Sequence, residues 1–172
     1  MKIHILGPVG SGKTTLGRTL SKRSKCCHIE LDNVMWERRK DGDRRRSESE
    51  RVEYLIQTFQ QYPSWIVEGV HLNDWMKGSL ERADHIVWLE PPLAFRIYRV
   101  IRRYLRQLLG RESSNYRPSL RMLRDMIRWS FTYQNEERHR FHQELQAYED
   151  KVYKLHSDKD VHHYISELRS PG

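Results

Sequence analysis

The sequence predicts an α/β fold built on a parallel sheet, and three observations predict it. Strand-like and helix-like segments alternate along the chain, the order that a parallel sheet with helical crossovers requires. Two runs, SWIVEG at 64–69 and DHIVWLE at 84–90, are apolar almost without interruption, as strands covered on both faces are. A glycine cluster stands between the first strand-like run and the first helical one.

Taken in order, residues 2–6 (KIHIL) read as a short strand, 13–24 as a helix and 27–31 (CHIEL) as a second strand. A charge-dense loop follows, and then Ser47 and Glu50 have the spacing of a capping box. The helix they open carries Val52, Leu55, Ile56 and Phe59 on one face. The apolar runs at 64–69 and 84–90 are the next two strands, DKVYKL at 150–155 is the last, and 158–168 is a closing helix. Two long helical patterns, 91–109 and 119–148, lie between them, separated by GRESSNYRPS. There is no repeat and no low-complexity linker, so the 172 residues read as one domain. Its core is expected at 1–90 and 149–172, with the long helices and a lid over about 91–148.

Composition narrows the partners. Lys and Arg number 31 against 23 Asp and Glu, a net charge of +8. An anionic partner fits this: nucleotide, nucleic acid, phosphorylated metabolite or membrane surface. Cys26 and Cys27 are adjacent and make no ordinary fold-stapling bridge, which suits a reducing cytosol. No run approaches a membrane span and no charged-then-apolar leader precedes the first strand. A cytoplasmic protein with no membrane partner is expected, and its oligomeric state stays open.

The glycine cluster carries the chemistry. Gly7, Pro8, Val9, Gly10, Ser11, Gly12, Lys13 and Thr14, followed by Thr15, match G-x-x-x-x-G-K-[ST] between a strand and a helix. The glycines let the backbone curl so that several N–H groups point at one anion, and the helix that starts near Lys13 adds the positive end of its dipole. Lys13 then reaches the β- and γ-phosphates of ATP, and the Thr14 hydroxyl takes a place on Mg²⁺. The stretch reads as a phosphate cradle.

A GTPase would carry N-K-x-D, which is absent, and an ATPase motor usually shows an apolar strand ending in Asp-Glu, whereas here the strands end WIVEG and HIVWLEP. With GPVGSGKTT, ELDNVMW, WIVEGVH, ADHIVWLEPP and the arginine-rich FRIYRVIRRYLR, the chain resembles the small P-loop kinases of the adenylate, shikimate and nucleoside kinase group. Within it, the chain is most similar to the FlaR-related DNA topology modulation proteins. These elements cover about the first two thirds of the sequence. The resemblance implies a three-layer P-loop fold with strand order 2-3-1-4-5, ATP as donor, a small-molecule acceptor and a mobile lid that carries arginines.

Asp32 lies just past the second strand and Glu68 ends the third-strand run before Gly69, both at the edge where parallel sheets collect ligands. The resemblance implies that Asp32 contacts the acceptor hydroxyl and that Glu68 points at the acceptor or the metal shell. Turn or strand capping is the alternative for each. Glu90, before Pro91 and Pro92, suits a helix start. Arg96, Arg99, Arg103 and Arg106 fall within about 80° of one another on a helix. Leu93, Ile97, Ile101, Tyr104 and Leu108 take the other side, as a core face would. Transferring phosphoryl groups need planar multi-donor cations, so Arg99 and Arg103 are the catalytic candidates, with Arg96 next. Arg121, Arg124 and Arg128 form a second basic row facing the cleft or solvent.

The basic loop ERRKDGDRRRSESE could hold an anionic acceptor or stand in solvent, and Trp36, Trp65 and Trp75 could stack a ring or fill the core. Three constellations are set aside as metal sites. Neighbours in Cys26-Cys27-His28 point to opposite strand faces, Glu136 and His139 lack the further helices of a di-iron bundle, and His162-His163 sits near a helix end. No metal beyond nucleotide-bound Mg²⁺ is expected. The function expected is transfer of the ATP γ-phosphoryl to a small acceptor, a nucleotide or nucleoside. The alternative is a nucleotide-dependent regulator that binds nucleic acid, for which no recognition motif is present.

Overall fold

In the computed structural model, residues 1–37, 39, 42–70, 72–111 and 118–168 are described. The KIHIL run forms β1 (Lys2–Leu6), and Gly12 opens α1 (Lys13–Ser24). β2 (Cys27–Glu30), β3 (Trp65–Gly69), β4 (His85–Leu89) and β5 (Val152–Leu155) join β1 in a five-stranded parallel sheet. The strands lie in the order β2-β3-β1-β4-β5, the order the resemblance implied. β3 is buried at every position and β4 at its last four, which is why both read as continuous apolar runs.

Helices cover both faces. One face packs Leu55 of α3 (Glu48–Gln61), Leu80 of α4 (Lys77–Arg82) and Phe141 and Leu145 of α7 (Arg138–Leu145) against Trp65, Val67 and Trp88. The other packs Leu16 and Leu20 of α1 and Tyr164 of α8 (Asp158–Glu167) against Ile3, Ile5 and Ile66. The capping box at α3 is formed, with Glu50 N–H donating to Ser47 Oγ (3.3 Å) and Ser47 N–H to Glu50 Oε2 (2.7 Å).

The buried side of α3 differs from the expected one. Arg51 and Leu55 are buried and Phe59 stacks on Trp65 with ring centroids 4.5 Å apart, while Val52 and Ile56 are exposed. The Arg51 guanidinium lies 5.5 Å over the Trp75 ring, so a charged side chain occupies the inner arc that an apolar count assigns to valine. A short helix, α2 (Leu31–Met35), follows β2, and a two-residue hairpin pairs Trp36–Glu37 with Arg44–Arg45. Arg46 Nη1 donates to the carbonyl oxygens of Asn33, Val34 and Trp36.

The two long helical patterns also differ. α5 (Leu93–Leu108) buries Arg96, Val100 and Gln107, whereas Ile101 and Leu108 are 38% and 55% exposed. The reason is what α5 lies on: a Cβ added to Gly10 would meet Arg96 O at 2.7 Å and Val100 Cγ2 at 3.1 Å. The glycine loop therefore rests on the Arg96–Val100 arc, not on the apolar one. The 119–148 pattern is not one helix. α6 (Leu120–Thr132), which packs on α5, passes through a π-helical turn at Tyr133–Glu137 into α7 and then a 3₁₀ stretch at Gln146–Lys151. The wide turn rotates the phase so that Tyr133 points inward and accepts from Trp88 Nε1 at 2.8 Å. Residues 112–117 of the expected lid, and Arg38, Lys40 and Asp41 of the basic loop, lie outside the described residues.

Candidate functional site

The carboxyl ends of β1 and β3 meet the start of α1. Gly10 and Gly12 adopt φ of 76° and 100°, in the left-handed region that glycine reaches without strain. Gly12 is the N-cap of α1, and no side chain caps that helix. Its first N–H groups thus have no side-chain acceptor, the condition for receiving an anion. Ser11 Oγ is buried with no partner among the described residues. Curled glycines, an uncapped helix start and an orphaned hydroxyl together fit a polyphosphate.

Lys13 is only 8% exposed and its Nζ donates to Pro8 O at 3.0 Å. Thr14 Oγ1 donates to Glu68 Oε1 at 2.7 Å, and Glu68 is 5% exposed. Burial pushes the Lys13 ammonium below its usual range, while Glu68 and Asp32 pull it back and Arg103 and Arg96 depress it further. Burial likewise raises the Glu68 carboxyl, against the pull of Lys13 and the Thr14 bond; Glu30 and Asp32 raise it further. Lys13, Thr14, Asp32 and Glu68 thus share one electrostatic neighbourhood. Asp32 stands exposed in the first turn of α2. A Mg²⁺ ion accompanying a nucleotide fits the oxygen donors here, Thr14 Oγ1 and the Glu68 carboxylate it bonds.

The arginines of α5 separate in space. Arg96 is fully buried (0% exposed), donates from Nη2 to Gln134 Oε1 at 2.8 Å and lies 5.2 Å over the Tyr133 ring. Its Nε and Nη1 have no partner among the described residues. Arg99 donates to Ser11 O (3.1 Å) and to Asp158 Oδ1 (2.6 Å), so it ties α5 to the glycine loop and to α8. Arg103 is exposed and bears on Lys13 through its charge. Arg121, Arg124 and Arg128 are all exposed, with Arg128 paired to Asp125.

Other candidates are engaged elsewhere. Glu90 is held by Arg138 (2.5 Å), beside His156. Arg44 bonds Glu37 and Glu50, and Arg46 the carbonyls noted above, so two arginines of the basic loop serve the loop itself. Trp65 and Trp75 are core residues, and Trp36 is exposed. Sequence reasoning missed Glu30, which β2 sets directly opposite Glu68; its signal was the E-x-D pair formed with Asp32 at a strand end. His28 was weighed only with Cys26 and Cys27, although strand alternation groups it with Glu30.

Comparisons with known proteins bear on this geometry. The family model described as "ABC transporter" matches residues 1–171. The chain is 30% identical over 137 residues to "Uncharacterized protein YqaC" of Bacillus subtilis (strain 168), covering 77% of this chain and 72% of that protein. Among solved structures it is similar to a shikimate kinase from Acinetobacter baumannii in complex with shikimate, with a TM-score of 0.53 and 16% identity over 98% of this chain and 95% of that one. At that identity the likeness is one of fold. Among the described residues no helix is long and apolar enough to cross a membrane.

Proposed function

The chain belongs to the P-loop nucleotide-binding family that the ABC transporter model describes, and to that of YqaC; on that premise we propose that it is a phosphotransferase. It moves the γ-phosphoryl of Mg-ATP to a small acceptor, with a nucleotide or nucleoside as the leading class. In this reading it stands with the FlaR-related, adenylate-kinase-like proteins and works in the cytoplasm. One observation carries it. Thr14 bonds a buried Glu68 beside a buried Lys13, with Asp32 at the same sheet edge.

Each part has a task. Backbone N–H groups within residues 9–15 bind the β-phosphate, and Lys13 leaves Pro8 O for the β- and γ-oxygens. Thr14 and Glu68 would hold the nucleotide's Mg²⁺, which would supply charge neutralisation to the phosphates. With a hydroxyl acceptor, Asp32 receives its proton as the hydroxyl oxygen bonds the γ-phosphorus and the bond to the β-phosphate oxygen breaks, releasing ADP; a monophosphate acceptor attacks through an oxygen already ionised and needs no base. Arg99 holds the loop in place through Ser11 O, and Arg103 supplies a cation for the transferring group. The strand ends favour transfer over motor work, since WIVEG lacks the Asp-Glu pair.

A coupled assay of ADP release across nucleoside monophosphates, nucleosides and small hydroxylated metabolites tests the reading and finds the acceptor. Lys13→Ala should lower transfer by about 10²–10³-fold, the usual loss for one preorganised charge-stabilising group. Wild-type turnover in that variant removes the proposal.

A further inference from the structure

β2 and β3 carry a side-chain cluster that the phosphotransfer reading leaves largely unused. Their register pairs Glu30 with Glu68 and His28 with Ile66, and alternation along a strand puts residues 28 and 30 on one face. α1 covers that face. A Cβ added to Gly17 would sit 2.5 Å from His28 Nε2, so the imidazole edge lies against the helix and glycine at 17 leaves it room. One ligand atom from each of His28, Glu30 and Glu68 falls within 4.8 Å of the other two.

Two further observations point to a ligand. His28 Nε2 is buried and has no hydrogen-bond partner among the described residues, an unusual state for a ring nitrogen out of water. In addition, two carboxylates lie in register on neighbouring strands, and their charges oppose each other. Arg18 Nη2 meets Glu30 Oε1 at 3.0 Å from the exposed side, while Glu68 depends on Lys13, the cation that the proposed nucleotide would draw away.

We propose that His28, Glu30 and Glu68 form a site for a divalent first-row transition-metal ion, of the Mn²⁺ or Zn²⁺ kind, that fills without nucleotide. An imidazole nitrogen with two carboxylates suits such ions; Mg²⁺ prefers an all-oxygen shell and keeps its water. Bonds of about 2.0–2.2 Å place the donors around one ion roughly 3–3.5 Å apart. Side-chain rotation therefore has little more than an ångström of contraction to supply. Water completes the shell, and Thr14, bonded to Glu68, stays on the side of the nucleotide's own Mg²⁺. The site shares Glu68 with the phosphotransfer reading but does not rest on it.

The test is Mn²⁺ titrated into nucleotide-free protein, followed by loss of the free-ion paramagnetic resonance signal, with Zn²⁺ as competitor. One site is expected, displaced by Zn²⁺. His28→Gln and Glu30→Gln should each weaken Mn²⁺ binding tenfold or more, and His156→Gln should leave it unchanged. Lys13→Ala, which the proposed transfer does not survive, should still bind Mn²⁺, so failure of one reading is distinct from failure of the other. Folded His28→Gln with wild-type affinity overturns the site, as does binding that appears only when ATP is added. If His28→Gln does not fold by circular dichroism, Glu30→Gln at the rim decides alone.

Discussion

A single buried side chain shows how this sheet answers to pH. His4 lies in the central strand β1, fully buried, with Nδ1 2.9 Å from Ser79 Oγ. Burial takes its pKa down from 6.5 to about 3. The unfolded chain accepts a proton on this ring below pH 6.5, and the folded chain does so only near pH 3. Its contribution is therefore complete above the unfolded value and is lost as pH falls through that window, at up to about 1.4 kcal/mol per pH unit. Carboxylates also titrate there, so a difference between two proteins isolates the ring. Urea unfolding at pH 7 and pH 4.5 should show wild type losing more stability than His4→Gln. Equal losses would mean that the ring does not sense acid. The Lys13 and Glu68 shifts also begin with burial, but their consequence differs. Each is perturbed by burial and partly restored by the other's charge, the pattern of groups held ready for a ligand.

At the scale of elements, α5 joins the glycine loop to the rest of the molecule, and its arginines are not equivalent. Arg99 holds Ser11 O and Asp158, so Arg99→Ala should weaken ATP binding as well as turnover. Arg103 is exposed and bears on Lys13 through its charge. Arg103→Ala should therefore depress turnover by about 10³-fold, as loss of a transition-state arginine does, with ATP affinity nearly unchanged. Titration calorimetry beside single-turnover rates separates the two, and turnover unaffected in both variants removes the catalytic reading of Arg99 and Arg103. The sequence allowed the row to be seen but not its orientation. Period 3.6 says which residues share a face, yet not which face meets the core. Here Arg96 turned inward because the loop glycines accept α5 backbone at that point. β3 and β4 were legible because burial on both faces writes itself as an apolar run, and the phosphate cradle was legible because its residues are contiguous. α2 and the π-helical turn are too short to leave a period. The His28, Glu30 and Glu68 cluster depends on β2–β3 register, a pairing made across the whole of α3 that spacing within either strand does not reveal.

For the whole molecule, the question is what a net charge of +8 does. Much of the basic surface is answered locally. Arg18 pairs Glu30, Arg44 pairs Glu37 and Glu50, Arg99 pairs Asp158, Arg138 pairs Glu90, and Arg140 pairs Glu144. Acids interleaved with arginines shorten the reach of the positive field, which at physiological salt is already screened within about 8 Å. Duplex DNA binding grows with the number of phosphates a protein can neutralise together, and every such contact steepens the salt dependence. Arg102 on α5 and Arg121 and Arg124 on α6 are among the cations that stand exposed, enough for a contact driven by charge alone, and the sequence carries no base-reading motif to make it selective. Duplex DNA should therefore bind at non-specific strength, with Kd on the order of 10⁻⁵ M or weaker near 150 mM salt, and fade steeply above it. Fluorescence anisotropy over a salt series, with and without ATP, measures this. Submicromolar, sequence-selective and ATP-dependent binding at that salt would reverse the assignment. The cradle would then gate a nucleic-acid regulator, and its turnover of small acceptors would be incidental.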